Sequence, residues 1–240
     1  MINRFKKRAA IALLALFSLG AAISNAAESS AQPRPVYDQL TPENSQLLLI
    51  DYQPQYAFAT QSITIDALLN NATALTKVAQ AFKLPTVITT ITAKAYAGPT
   101  FPQIQSAAPD VSVIDRTPIN AWAEPRVRDA VKKAGRKKLI IAGLWTNNCV
   151  MLPALAALKE GYEVYVVTDA SGDPDAASHE RAVQRLVQAG AVPITWLPVL
   201  LELQADWTRD VTNGQVGKII NEHAGAMATG AFYKQFVQKP

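Results

Sequence analysis

Two residues in this 240-residue chain have the type and the placement to do chemistry together. Cys149 is the only cysteine. It sits in Gly143-Leu144-Trp145-Thr146-Asn147-Asn148-Cys149-Val150, directly after the apolar run Leu139-Ile140-Ile141-Ala142. That is a strand-to-helix junction, where unpaired backbone N–H groups favour a thiolate. A thiolate is a strong nucleophile, whereas a lone buried thiol is merely a small hydrophobe, and the residue by itself allows both readings. Asp51 ends a second apolar run, Ser45-Gln46-Leu47-Leu48-Leu49-Ile50. A carboxylate on the same rim as a thiol is a candidate base for it.

The elements that must carry these residues read as alternating strands and helices. Ser45 to Ile50 is too short for a helix and has no polar alternation, so it is expected as a buried parallel strand. Ile65 to Phe82 repeats Leu68, Leu69, Ala72, Leu75, Val78, Ala79 and Phe82 at three- and four-residue spacing, a helix face. Further strands are expected at Pro85 to Ile91, Lys138 to Ala142, Tyr162 to Thr168 and Val192 to Leu197. Helices are expected at Pro125 to Ala134, Val150 to Lys159, Ala177 to Ala189 and through the tail after Val199. Alternation of this kind predicts one α/β domain, a doubly wound parallel sheet covered on both faces. Sites in such sheets lie beyond the carboxyl ends of the strands, which places Asp51 and Cys149 on one rim.

The N-terminus reads as an export signal. Asn3 to Arg8 is basic, Ala9 to Ile23 is small and apolar, and Ser24-Asn25-Ala26 offers small residues for cleavage. The expected organisation is a signal peptide over 1–26, a polar linker over 27–37, the domain over 38–210 and a helical tail over 211–240. The mature protein is expected in the periplasm or outside the cell, without a membrane span. Of the 23 basic residues, four precede Ala26, whereas none of the 19 acidic ones does, so the mature chain carries 19 of each. The basic pI therefore belongs to targeting and gives no reason to expect a nucleic-acid partner.

Four ordered blocks carry a family resemblance: Leu48-Leu49-Ile50-Asp51-Tyr52-Gln53, Ile119-Asn120-Ala121-Trp122, Ile140 to Val150, and Val166-Val167-Thr168-Asp169-Ala170-Ser171-Gly172. Together they resemble the isochorismatase-like cysteine hydrolases, and the Ile-Asn-Ala-Trp segment is similar to the YcaC-type branch. The resemblance spans about Leu40 to Trp207. It implies an Asp–Lys–Cys triad, with Asp51 as the aspartate and Cys149 as the nucleophile. The lysine is where this chain departs: the best match is Arg116, which keeps the charge but cannot release a proton. The family mechanism has Asp51 take the thiol proton and Cys149 attack a carbonyl carbon, and a covalent intermediate is then resolved by water. Backbone N–H groups of Asn148 and Cys149 are expected to hold the oxyanion. The resemblance also implies a cis peptide before the nucleophile, by position Trp145–Thr146, and a homo-oligomer.

Arg116, the local N–H groups and a helix N-terminus all favour a thiolate, so a thiol pKa below its free value of about 8.5 is expected. Tyr56, Asn120 and Trp122 are expected to line a pocket for a small molecule. No metal or other cofactor is expected: His179 and His223 are the only histidines, and no His follows Asp51 in the Asp-x-His pattern of metal-binding nicotinamidases. His179 and Asp169 read as structural. A non-catalytic binding or scaffold protein on the same fold is the competing expectation.

Overall fold

The structure, a computed structural model, describes residues 38–237. The expected signal peptide and the expected linker lie outside these residues. Six strands form one parallel sheet: β1 (Ser45–Ile50), β2 (Thr86–Ile91), β3 (Val113–Arg116), β4 (Lys138–Gly143), β5 (Glu163–Val167) and β6 (Val192–Ile194). Their order across the sheet is β3-β2-β1-β4-β5-β6. Five strands were expected. The extra one, β3, has only four residues at the sheet edge and none of the continuous apolar character of its neighbours. Conversely, β6 stops at Ile194, because Trp196 opens a helix with its N–H donated to Asp169 Oδ1 at 2.9 Å.

The apolar runs of the central strands are explained by burial on both faces. In β1, Leu47 and Leu49 face one core while Leu48 and Ile50 face the other. The same alternation puts Ile140 and Ala142 against Leu139 and Ile141 in β4, and Tyr165 and Val167 against Val164 and Val166 in β5. The first core is covered by α2 (Ile65–Ala81), α3 (Pro102–Ala107), α7 (Trp196–Gln204) and α8 (Asp210–His223). The second is covered by α4 (Pro125–Ala134), α5 (Met151–Lys159) and α6 (Ala176–Gln188). A short α1 (Pro54–Phe58) follows β1, and α9 (Ala226–Phe236) ends the described chain.

Helix ends obey local chemistry. Thr64 caps α2 by accepting from the Ala67 N–H, and Asp175 caps α6 by accepting from the Ser178 N–H. The expected tail is an integral part of the fold: α8 buries Val216, Ile219 and Ile220 in the first core. Of the side chains expected to meet a neighbouring subunit, Leu200 and Leu203 are buried in this core, whereas Leu201 and Trp207 are exposed. Among the described residues no helix is long and apolar enough to cross a membrane.

The strand order reverses between β1 and β4. Crossovers leave the sheet in opposite directions there, and a crevice opens at the carboxyl ends of those two strands. Asp51 follows β1 and Thr146–Val150, the turn bearing Cys149, follows β4. At this point the strands are held very close. Leu144 N–H donates to Ile50 O at 3.0 Å, and a Cβ on Gly143 would fall 2.1 Å from that same oxygen. Only glycine fits.

Candidate active site

Asp51 is fully buried and lies just past β1 with φ 53°. A non-glycine residue in this left-handed region is uncommon and costs about 1–3 kcal/mol. The conformation takes the side chain out of the alternation of the strand. Arg116, the last residue of β3, brings its guanidinium to it: Nη2 donates to Asp51 Oδ2 at 2.6 Å, with both side chains inaccessible to solvent. Arg116 Nη1 donates to Pro118 O at 2.6 Å. Asp51 Oδ1 and Arg116 Nε are buried with no protein partner. Oδ1 is therefore the oxygen free to receive a proton.

Cys149 is 5 % exposed. Its Sγ lies 3.6 Å from Asn148 Oδ1 and interacts electrostatically with both Asp51 and Arg116. Burial and the Asp51 charge push the thiol up to about 12, with Arg116 opposing them in part. This corrects the expectation of a depressed value: desolvation and a neighbouring anion outweigh one cation. Burial likewise raises Asp51 to about 6, against the pull of Arg116. At neutral pH the resting site is thus a protonated thiol beside an ionised carboxylate. The nucleophile is made by proton transfer to Asp51 rather than held ready as a thiolate.

The sequence-predicted residues divide. Arg116, Asp51 and Cys149 are brought together, whereas Lys94, another cation near in sequence, is exposed. Tyr56 on α1 meets Trp145 edge to face with centroids 5.1 Å apart. Burial, Cys149 and Asp51 together raise its phenol pKa, so it belongs to the site's surroundings. Trp122 packs in the second core: it is 4 % exposed, meets Tyr162 edge-on at 5.5 Å, and donates to Glu160 Oε1 at 2.8 Å. A buried indole takes a polar partner for its N–H, and this one finds it beyond the end of α5. The Asn120 carboxamide oxygen caps the turn Ala121–Ala123 by accepting from Trp122 N–H at 3.0 Å.

The cis bond is Leu144–Trp145, one residue earlier than expected. The oxyanion assignment also narrows. Asn148 N–H is already donated to Trp145 O at 3.2 Å, while Cys149 N–H has no bond outside its own turn.

Two buried polar residues escape sequence reasoning. Gln53 stitches β1 to the loop after β2: its Oε1 accepts from Ile91 N–H at 2.9 Å, and its Nε2 donates to Ile91 O at 3.1 Å and Gly98 O at 2.6 Å. Asp173 is fully buried behind the nucleophile turn and accepts from Asn147 N–H. Their only sequence signal is position, two residues after Asp51 and directly after the Asp169–Gly172 block. His179 reaches the nucleophile turn, with Nδ1 2.9 Å from Thr146 Oγ1. Among the described residues no group of three or more His, Cys, Asp or Glu side chains converges to hold a metal ion.

Known proteins share this arrangement of chain. The isochorismatase domain matches residues 45–197. The probable hydrolase YcaC of Escherichia coli is 41 % identical over 176 residues, which is 73 % of this chain and 85 % of that protein. The crystal structure of the E. coli YcaC gene product, an octameric hydrolase of unknown specificity, superposes with a TM-score of 0.80 at 36 % identity, covering 84 % of this chain and 98 % of the other. YcaC from Pseudomonas aeruginosa, solved with hexane-2,5-diol and covalent acrylamide, gives a TM-score of 0.80 at 35 % identity over 84 % of this chain and 99 % of the other. A six-stranded parallel sheet in this order, a matching domain over most of the chain and 41 % identity to a YcaC protein leave one assignment. The chain belongs to the YcaC-type isochorismatase family of hydrolases.

Proposed function

We propose that the protein is an exported cysteine hydrolase that cleaves a small amide or related C–N bond. The observation that carries this reading is the buried Asp51–Arg116 pair, which leaves Oδ1 unpaired and brings the Asp51 carboxyl against the Cys149 thiol. Asp51 takes the thiol proton and the sulfur attacks the carbonyl carbon. The negative oxygen of the tetrahedral adduct is met by Cys149 N–H. The C–N bond then breaks, the amine leaves with the proton held by Asp51, and an acyl-thioester remains. Asp51, ionised again, removes a proton from water as the water attacks the thioester, releasing the acid and restoring the thiol. Arg116 stays charged throughout and keeps Asp51 ionised between steps. The edge-to-face Tyr56–Trp145 pair supplies an apolar wall, which favours an uncharged substrate. The covalent acrylamide in the P. aeruginosa relative supports a site that admits a small uncharged molecule and holds a nucleophile able to bond it.

A homo-oligomer is part of the same proposal. The E. coli relative is octameric, and α9 exposes Phe232, Tyr233 and Phe236. Export rests on the N-terminal pattern, and N-terminal sequencing of material from an exporting host decides it: a chain starting at Met1 overturns it. The reaction is tested by screening the mature protein and its Cys149→Ser variant against a panel of small amides. Turnover by the parent alone is expected. Equal release by both, or none by either, rejects the hydrolase reading in favour of a binding protein on this fold.

A further inference from the structure

The segment Ser171-Gly172-Asp173 is built into the site although it carries no reacting group. Gly172 O accepts from Thr146 N–H at 3.0 Å, and both Asp173 carboxylate oxygens share Asn147 N–H, at 3.2 and 3.3 Å. The first two amides of the nucleophile turn are therefore both held by this segment. On its other side the segment grips the loop after α1. Asp173 N–H donates to Ser62 Oγ at 2.8 Å, and Asp173 O accepts from Gln61 N–H and Ser62 N–H at 3.0 and 3.1 Å. The packing leaves no slack: a Cβ on Gly172 would meet Thr60 Cγ2 at 2.7 Å and Ile63 Cγ2 at 2.9 Å. The loop it grips is itself tied to the apolar wall, because Trp145 Nε1 donates to Thr60 Oγ1 at 3.1 Å and Tyr56 O at 3.2 Å.

An ionised carboxylate with no solvent access is costly to retain for packing alone. We propose that Asp173 is a positioning residue: its carboxylate anchors Asn147 N–H and so fixes the turn that aims Cys149 Sγ and Cys149 N–H at one carbonyl group. The inference rests on the amidase-type reading for its catalytic consequence, while the anchoring itself is independent of it. Loss of the anchor lets the turn drift, and a misplacement of about 1 Å at a reacting centre costs about 10²-fold in rate.

The test uses the full mature chain at pH 8, where the carboxylate is ionised, with Asp173→Ala and Asp173→Asn compared. The Asn side chain keeps an acceptor for Asn147 N–H and the Ala side chain does not. Turnover is expressed per mole of folded protein, isolated by size-exclusion chromatography and quantified from the amplitude of its cooperative unfolding transition, which removes unfolded protein from the comparison. Asp173→Ala is expected to lose about 10²-fold in kcat with KM little changed. Asp173→Asn is expected to lose less than about tenfold, the worth of one weakened hydrogen bond. Hydrogen–deuterium exchange gives a readout independent of turnover: the peptide spanning 146–150 should exchange faster in Asp173→Ala only, with β1 peptides unchanged. Full kcat or unchanged exchange in Asp173→Ala overturns the proposal. So does an equal loss in both variants, which would assign the effect to charge rather than to the anchor. If the parent chain turns over no amide, the reaction reading fails, and exchange alone decides the anchoring.

Discussion

Replacing Arg116 by methionine should make the stability of the protein depend on pH in a way the parent's does not. Methionine is unbranched and of similar length, so it removes the charge with little loss of packing. What remains is Asp51, fully buried, with its 2.6 Å partner gone and Oδ1 already unpaired. Breaking a buried ion pair on one side costs about 3–5 kcal/mol. The carboxyl escapes part of that by taking up a proton. In the parent its pKa is raised from 3.8 to about 6, so the folded chain binds a proton more readily than the unfolded one. Stability therefore falls as pH rises through that interval, by about 3 kcal/mol, and is level above it. Without Arg116 the folded-state pKa climbs further, so the fall continues past pH 6. At up to about 1.4 kcal/mol per pH unit, the gap between variant and parent should widen by up to about 2.7 kcal/mol from pH 6 to pH 8. Urea unfolding at fixed protein concentration, followed at both pH values, measures it. The double variant Arg116→Met/Asp51→Asn should lose the pH dependence. A gap equal at pH 6 and pH 8, or no destabilisation at all, would refute a buried, charge-paired Asp51.

Three further outcomes follow from the same geometry. With Asp51 as the base, kcat/KM should rise as pH rises through about 6 and be lost below it; Asp51→Asn should cut turnover by about 10²-fold or more and abolish that limb. Because the thiol is pushed up to about 12, iodoacetamide should label Cys149 slowly at pH 7 and faster with each step toward pH 9; a rate plateau below pH 8 would show a resting thiolate instead. Gly143→Ala drives a Cβ against Ile50 O and should destabilise the domain severely, seen as loss of soluble protein or a large drop in thermal midpoint; a normal midpoint would contradict the strand contact.

The central strands were legible because burial on both faces writes itself as unbroken apolar runs, as in Ser45–Ile50 and Lys138–Gly143. Their helical partners were legible from periodicity. The short edge strand Val113–Arg116 was not, since an edge needs neither length nor continuous apolar character, though it delivers the cation of the site. Asp51 and Cys149 could be placed on one rim from topology, and Arg116 from resemblance. The protonation state of the thiol could not, because it depends on how completely three side chains shed water, which is a property of packing. Trp122 shows the same limit: an aromatic next to a site block reads equally as wall or core until its indole N–H finds Glu160. Gln53 and Asp173 act through main-chain partners far along the chain, and no local pattern encodes such bonds.

The contact between Gly143 and Ile50 has a bearing on how such a protein can change over generations. The two strands that bear the base and the nucleophile are joined at that point by main chain alone, through Leu144 N–H and Ile50 O. Their spacing requires glycine at 143 but no particular side chain on the segments around the rim. Mutational drift in Tyr56, Trp145 and other side chains around the rim can therefore reshape what is admitted while the reacting groups stay in place. Descendants of one ancestor can diverge widely in preferred substrate, each inheriting the same chemical core without having to rebuild it.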